Sequence, residues 1–219
     1  MHFKKSLLIL SISLMVLLAA CNGQSTEEQI HNHLEEAVTL EEEFEKQQRE
    51  ITDLELEEQD IYDQIIDLGM DDIETIQELS NQALKIIEQR VEKIGLEKDS
   101  IESSKEEFNQ IEALLTDIEN EGLKDTAESM YEVMNNRYSA YEELNDAYMK
   151  SLELEQELYE ILQQEDLEQE TLTEQINSIN ESYEQVLQHN EAFNNYTVEY
   201  NELKKEFYEA ADLTVSFEE

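Results

Sequence analysis

Cys21 is the residue whose chemistry its neighbours in the sequence define best. It follows Leu18, Ala19 and Ala20 and closes a short apolar stretch that two lysines precede. A basic start, an apolar run and small residues before a cleavage point are typical of a secretory signal peptide. Small residues directly before a cysteine are typical of a lipobox. We therefore expect residues 1–20 to be a lipoprotein signal peptide and Cys21 to carry the lipid.

The alternative is an unmodified cysteine at the end of an apolar anchor that is not cleaved. The apolar stretch covers residues 7–20, which is short against the roughly 20 residues that a bilayer span needs. Lipidation of Cys21 is therefore the favoured interpretation. It predicts a protein anchored to the cell membrane, on its outer face.

Other arrangements that could do chemistry are weak. Glu28 and His31 have the Glu-x-x-His spacing of di-iron helix bundles, but such a centre needs two copies of this motif, and the sequence has one. Cys21 is the only cysteine, and the sequence contains neither a calcium-loop pattern nor a nucleophile elbow. We expect no catalytic, cofactor-binding or metal site, and no enzymatic activity.

The composition is strongly acidic and favours helix. The part that would remain after cleavage carries 12 basic and 56 acidic residues, a formal charge of about −44. Such a surface repels nucleic acid, so a nucleic-acid partner is excluded. The chain has no proline and four glycines, and 39% of its residues are hydrophobic. This argues for long folded helices rather than disorder.

Apolar residues recur at alternating steps of three and four in four successive series, which is the pattern of helices packed on partner helices. Residues 21–29 would form the lipidated cysteine and a short tether, and residues 30–219 would form the helical bundle. The predicted helices cover about 27–68, 72–119, 123–164 and 170–213.

Short links between long helices force neighbouring helices to run antiparallel. The prediction is therefore an all-α fold, an elongated antiparallel up-and-down four-helix bundle with long helices. The pattern lapses over residues 164–171 without Gly or Pro. If that segment is helical, the alternative is a three-helix, spectrin-like arrangement.

Five basic residues lie on the second predicted helix. Two interpretations are open: they relieve the repulsion between acidic neighbouring helices, which is favoured, or they form a ligand strip for phosphate-containing polymers of the cell wall. The residues are Lys85, Arg90, Lys93, Lys98 and Lys105.

Polar residues also interrupt the apolar seams. Ser104, Arg137 and Thr197 fall at similar heights in the predicted bundle. A buried guanidinium is costly unless it is paired. We therefore predict a polar layer in the core, in which Arg137 bonds one or both hydroxyls and a nearby carboxylate. Glu58, Glu97, Glu155 and Lys204 also occupy seam positions, where they would form further polar layers or lie at exposed seam edges.

Nine tyrosines in the second half of the chain could form stacking platforms for sugar rings. Those at seam positions, Tyr141, Tyr148, Tyr183 and Tyr200, are better explained by core packing. Those away from the central seam remain candidate contacts, namely Tyr131, Tyr138, Tyr159, Tyr196 and Tyr208.

The lipobox and several helical stretches together resemble a known family. The stretches are residues 40–48, 104–109, 137–138 and 193–201. In these stretches the chain resembles the YkyA-like cell-wall-binding lipoproteins of Gram-positive bacteria. The resemblance implies a four-helical up-and-down bundle on the outer face of the membrane. It brings no functional residues with it.

Two functions remain open from the sequence. The first is a non-enzymatic binding or structural module in the cell-wall layer, attached to the membrane through lipid on Cys21. The second is an adaptor or chaperone-like subunit that binds another exported protein through its helix faces. Contact with a charged polymer should weaken with ionic strength, whereas an apolar contact should not.

Overall fold

The computed structural model describes residues 24–69 and 72–213. Residues 1–20 and Cys21, on which the signal-peptide and lipidation predictions rest, lie outside these ranges. Every regular element among the described residues is helical. The elements are α1 (Thr26–Leu40), α2 (Glu42–Leu68), α3 (Ile73–Phe108), a 3-10 turn (Asn109–Ile111), α4 (Glu112–Leu115), α5 (Glu121–Ile161) and α6 (Gln169–Ala210).

Side chains fix the starts of three helices. Before α1, the Glu28 N–H donates to Ser25 Oγ at 3.1 Å, and the Ser25 N–H donates to Glu28 Oε2 at 3.0 Å. This reciprocal pair is a capping box, which satisfies two N–H groups that the helix itself cannot satisfy. Asp72 and Asn120 each accept a bond from the N–H three residues later, at 3.2 and 3.1 Å. Glu28 therefore fixes a helix start, which accounts for its Glu-x-x-His motif.

The helices form four antiparallel arms: α1 with α2, then α3 with α4, then α5, then α6. His33 early in the first arm lies beside Glu107 late in the second, and Lys204 late in α6 lies beside Glu35 of α1. The segment between α5 and α6, residues 162–168, is not helical and consists of turns and irregular backbone. The predicted up-and-down four-helix bundle is confirmed, and the three-helix alternative is wrong.

The first arm breaks at Glu41, where the sequence predicted one continuous helix. A serine of α3 fills the gap in the backbone bonding: Ser100 Oγ donates to the Leu40 carbonyl at 2.6 Å and accepts from the Phe44 N–H at 3.1 Å. These are two of the backbone groups that a helix break leaves without partners. The break also turns the Glu41 carboxylate toward the bundle interior.

The second arm is also interrupted, because the predicted helix 72–119 ends at Phe108 and the chain tightens into the 3-10 turn and α4. Ile111 and Leu115 of this segment, and Ile118 just after it, are buried, with exposures of 0, 7 and 4%. They pack into the cluster that also holds Ile30 and Leu34 of α1. The tightened segment therefore covers one end of the core.

Two apolar clusters fill the bundle. The first lies toward α1 and is rich in aromatic side chains, including Phe108, Tyr138 and Phe207. The second lies toward the α2–α3 turn and is mainly aliphatic. In its first half, α6 buries only Ile179 and Ser182, so this half of α6 packs less closely than the other arms.

Candidate functional site: a cleft between α2 and α6

Buried polar side chains recur every seven residues along α3. Arg90, Glu97 and Ser104 are 3, 2 and 0% exposed. Seven residues are nearly two helical turns, so the three side chains leave the same side of α3 at intervals of about 10 Å. Their hydrogen-bond partners on the first arm have the same spacing, and these partners are Glu55, Gln48 and Glu41 respectively.

The Ser104 layer is centred on Arg137, which is 5% exposed. Its guanidinium donates two bonds to Glu41, at 2.8 and 2.7 Å, and its Nε donates to Thr197 Oγ1 at 2.9 Å. Ser104 Oγ donates to the same Glu41 carboxylate at 2.8 Å and shares a bond with the Tyr138 hydroxyl. The structure thus brings Ser104, Arg137 and Thr197 together. Ser104 reaches Arg137 through Glu41.

The Glu97 layer holds a buried acid without a basic partner. Gln48 Nε2 donates to the Glu97 carboxylate at 2.6 Å, and no ion pair among the described residues involves Glu97. Burial raises the pKa of Glu97 to about 7, although hydrogen bonds from Gln48 and Tyr141 act in the opposite direction. This carboxyl group therefore titrates near neutral pH.

The Arg90 layer holds more acid than base. Arg90 NH1 donates to Glu58 and, at 2.6 Å, to Glu155. Its Nε and NH2 donate to the Tyr148 hydroxyl at 3.0 and 2.7 Å, and NH2 lies 3.4 Å from Glu55. The Tyr148 hydroxyl in turn donates to Glu55 at 2.6 Å. Every nitrogen of the guanidinium is therefore engaged.

Three carboxylates surround one guanidinium in this layer, which gives a formal charge of −2. Glu58 and Glu155 are 7 and 2% exposed. Burial, together with the nearby charge of Glu155, raises the pKa of Glu58, and Arg90 opposes that shift. The layer is thus short of positive charge, in contrast to the Arg137 layer, where the guanidinium pairs with one carboxylate.

A cleft of about 540 Å³ opens onto the Arg90 layer between α2 and α6. Arg90, Glu55, Glu58, Glu155 and Tyr148 form its floor. The volume lies within the range of small-molecule sites, roughly 300 to 1,000 Å³. Apolar and tyrosine side chains form much of the walls, among them Tyr62, Leu158, Tyr159, Ile176, Ile179, Tyr183, Val186 and Leu187.

The mouth of the cleft carries Tyr183, which the sequence pattern assigned to the core, and Leu187, which lies outside that pattern. Tyr183 is 42% exposed and Leu187 is 68% exposed. Tyr183 nevertheless donates its hydroxyl to Glu155 at 2.7 Å. The core interpretation of Tyr183 is wrong, because heptad spacing shows which side of α6 faces the bundle but not how closely α6 approaches α2.

The basic residues of α3 do not form a single strip. Arg90 belongs to the buried layer, so assigning it to a surface strip is wrong. Lys93 contacts Glu50 of α2 at 2.5 Å, whereas Lys105 contacts Glu142 of α5 at 2.8 Å. These two lysines therefore face different neighbouring arms. Of the other members, Lys85 is exposed and Lys98 is half-buried.

Most of the tyrosines assigned to surface contacts are in fact buried. Tyr138, Tyr159 and Tyr208 are 0, 2 and 1% exposed, so treating them as surface contacts is wrong. Each forms part of an apolar cluster, because these arms bury a wider stripe than the central seam alone. Tyr131 and Tyr196 are half-buried against the first cluster.

Metal-ion clusters and membrane-spanning helices are both absent from the described residues. In residues 24–69 and 72–213, no group of three or more His, Cys, Asp or Glu side chains is arranged to hold a metal ion. None of the helices described here has the length and apolar character needed to cross a membrane.

The chain matches one protein family in sequence and one solved structure in fold. Residues 25–210 match the model of the YkyA family, described as "Putative cell-wall binding lipoprotein". An uncharacterized lipoprotein, YkyA of Bacillus subtilis (strain 168), is 34% identical over 203 residues, which cover 93% of this chain and 91% of that protein. A crystal structure of a conserved Staphylococcus aureus protein of unknown function has the same fold. Its TM-score is 0.71 at 15% identity, covering 86% of this chain and 98% of that one.

Proposed function

Because the chain belongs to the YkyA family of lipoproteins, we propose that it is a non-enzymatic binding module held on the outer face of the cell membrane by lipid on Cys21. The lipobox before Cys21 supports the anchor. The first helix begins five residues later, at Thr26, so the tether is short. The bundle would therefore stand directly on the lipid surface and extend into the cell-wall layer.

The cleft between α2 and α6 is the observation that carries the binding role. It combines a hydrogen-bonded polar floor with apolar walls, which is the composition of small-molecule binding sites. From Thr26 to Glu58 the first arm rises about 48 Å, at roughly 1.5 Å per residue. The cleft would thus meet its ligand well above the lipid head groups. The part of the bundle between the lipid and the cleft would act as a spacer.

Sedimentation with cell walls tests the binding role. The protein, expressed from its full sequence and purified in a non-ionic detergent, is mixed with purified Gram-positive walls and centrifuged. We expect it to sediment with intact walls and to stay in the supernatant once the walls have been digested with a muramidase. Equal sedimentation with and without intact walls would overturn the proposal.

Membrane fractionation tests the anchor. Cys21→Ser should release the protein from membranes or leave an unprocessed precursor, because the hydroxyl cannot replace the thiol as the site of lipidation. The matched control is Ser25→Cys in the Cys21→Ser background, which restores a thiol outside the lipobox and should not restore anchoring. A Cys21→Ser protein found in membranes at the mature size would contradict the anchor.

Exposed apolar side chains on α2 support a second candidate, the binding of another exported protein through a helix face. Leu56 and Ile66 are 67 and 53% exposed. Such a contact would persist at high ionic strength, whereas a charged wall polymer would dissociate. Sedimentation at about 50 and 500 mM salt therefore distinguishes the two candidates.

A further inference from the structure

We propose that the cleft between α2 and α6 binds a ligand carrying a primary ammonium group. The group would belong either to an amino sugar or to an aliphatic amine. This inference rests on the proposed binding function and names the ligand chemistry of the same site.

The hydrogen-bonding capacity of the floor is the first argument. All three guanidinium nitrogens of Arg90 already donate to Glu58, Glu155, Glu55 or Tyr148, so the floor has no free donor for an anionic ligand. Each carboxylate oxygen accepts two bonds, and the three carboxylates therefore retain unused acceptor capacity. A ligand that donates several hydrogen bonds fits this floor, and an ammonium group donates three.

Charge is the second argument. Three carboxylates against one guanidinium leave the floor with a formal charge of −2, within walls of low polarity that screen charge poorly. The Arg137 layer of the same bundle pairs its guanidinium with one carboxylate, Glu41, and so reaches neutrality. In the Arg90 layer the excess acid lies beside an open cleft, where an incoming cation can balance it.

The walls supply the third argument. Four tyrosine rings line the cleft, those of Tyr62, Tyr148, Tyr159 and Tyr183, and aromatic faces attract ammonium groups through their negative π clouds. Arg90 already uses one of these rings, since its guanidinium carbon lies 5.2 Å from the centre of Tyr148. Apolar side chains such as Ile176 and Val186 would contact the carbon skeleton that carries the ammonium group.

Leu187 allows the site to be blocked without damage to the core. It lines the cleft and is 68% exposed, so Leu187→Arg should fold normally and place a guanidinium at the mouth in competition with the ligand. Val198, on the same helix, is 59% exposed and does not line the cleft. Val198→Arg is therefore a matched control, with the same added charge outside the site.

The test is calorimetric titration of the detergent-purified protein at about 150 mM salt, where long-range attraction is screened. Glucosamine and 1,5-diaminopentane are the ammonium probes. N-acetylglucosamine is the uncharged control for glucosamine, because its nitrogen is acetylated. We expect at least one ammonium probe to bind at least tenfold more tightly than N-acetylglucosamine. Leu187→Arg should weaken that binding tenfold or more, and Val198→Arg should leave it unchanged.

The probes also distinguish the two sources of the amine. Tighter binding of glucosamine supports an amino sugar, and tighter binding of the diamine supports an aliphatic amine. Equal binding of N-acetylglucosamine, equal losses in the two arginine variants, or no binding of either amine would overturn the proposal. If the protein sediments with walls but binds neither amine, only this inference is overturned. If it binds an amine but does not sediment with walls, only the proposed wall-binding function is overturned.

Discussion

Two buried arginines, Arg90 and Arg137, show how differently the same residue type can be used inside one bundle. Each is held by carboxylates and hydroxyls from neighbouring arms, which offsets the cost of removing a guanidinium from water. Arg137 lies in a closed layer, paired with Glu41, and so links three arms. Arg90 holds several carboxylates at the base of an open cleft. Arg137 is therefore a structural residue, whereas Arg90 lies at the base of the proposed binding site.

Replacing Arg137 should destabilise the fold. Arg137→Ala would leave Glu41 and Thr197 without their partner, so we expect a loss of about 2 to 4 kcal/mol in the free energy of unfolding. Arg137→Met fills the same space but still leaves Glu41 unpaired, and it should lose less. Urea unfolding followed by circular dichroism measures both. The control is Arg49→Ala, an exposed arginine, which should change stability by less than about 0.5 kcal/mol. A similar loss in that control would contradict the layer's role.

Glu97 should make stability depend on pH. Its pKa is about 7 in the fold and 4.5 in the unfolded reference, so between these values the folded state retains a proton that the unfolded state has lost. Stability should therefore fall as pH rises from 4.5 to 7, by about 3 kcal/mol. Glu58, whose pKa is also raised, adds to the same trend.

Glu97→Gln removes this penalty, because the amide fills the site without ionising. We expect the variant to exceed the wild type in stability at pH 8 by up to about 3 kcal/mol and to match it near pH 4.5. Thermal melts across this pH range measure the difference. Glu92→Gln is the control, since Glu92 is exposed on the same helix and should leave the pH profile parallel to that of the wild type.

At the scale of the element, the break between α1 and α2 depends on a residue far away in the chain. Ser100 of α3 bonds the carbonyl of Leu40 and the N–H of Phe44, on either side of Glu41. The break directs the Glu41 carboxylate to Arg137 and Ser104. A single hydroxyl on α3 thus allows the first arm to contribute an acid to the core.

Ser100→Ala should weaken this junction. It leaves two backbone groups without partners, so we expect a loss of about 1 to 3 kcal/mol in the free energy of unfolding. Amide hydrogen exchange at Phe44 should accelerate as well. Ser103→Ala is the matched control, because the exposed Ser103 hydroxyl bonds only the carbonyl of Asp99 in its own helix. That control should be neutral or slightly stabilising, since alanine favours helix. Equal losses in the two variants would contradict the bridging role of Ser100.

The sequence predicted the arms well and the breaks poorly, for a physical reason. Apolar spacing reports which side of a helix faces partners, and this was sufficient for four antiparallel arms and for the common height of Ser104, Arg137 and Thr197. The break at Glu41 has no Gly or Pro, and its cause lies about sixty residues away at Ser100. The cleft was missed because Tyr183 has seam spacing, which does not report the distance between α2 and α6. The polar residues Arg90, Glu58 and Glu155 at one height were the available signal.

At the scale of the whole molecule, self-repulsion is the dominant electrostatic feature. The part that follows the predicted signal peptide carries 56 acidic and 12 basic residues, and like charges in a compact state oppose folding. Several basic side chains contact acids on neighbouring helices, as Lys93 and Lys105 do. Most carboxylates in the described part of the chain have no such partner. Added ions should therefore stabilise the fold.

We expect the melting temperature at pH 8 to rise between about 20 and 200 mM sodium chloride, because ions screen the repulsion. At pH 4.5 many carboxylates are protonated, so the same salt step should have a smaller effect. Differential scanning calorimetry at the two pH values provides the measurement with its internal control. A melting temperature that falls with salt at pH 8 would show that favourable ion pairs outweigh the repulsion.

The seven-residue spacing of the three polar layers affects the register in which α3 pairs with the first arm. Two heptad helices can slip past each other by one heptad and still match apolar side chains. In the observed alignment Glu41, Gln48 and Glu55 meet Ser104, Glu97 and Arg90. A slip in one direction would set Glu97 against Glu41, and a slip in the other would set it against Glu55. Either mispairing places two carboxyl groups against each other, which is unfavourable once both are ionised. Glu97 therefore discriminates against both misaligned forms of the bundle.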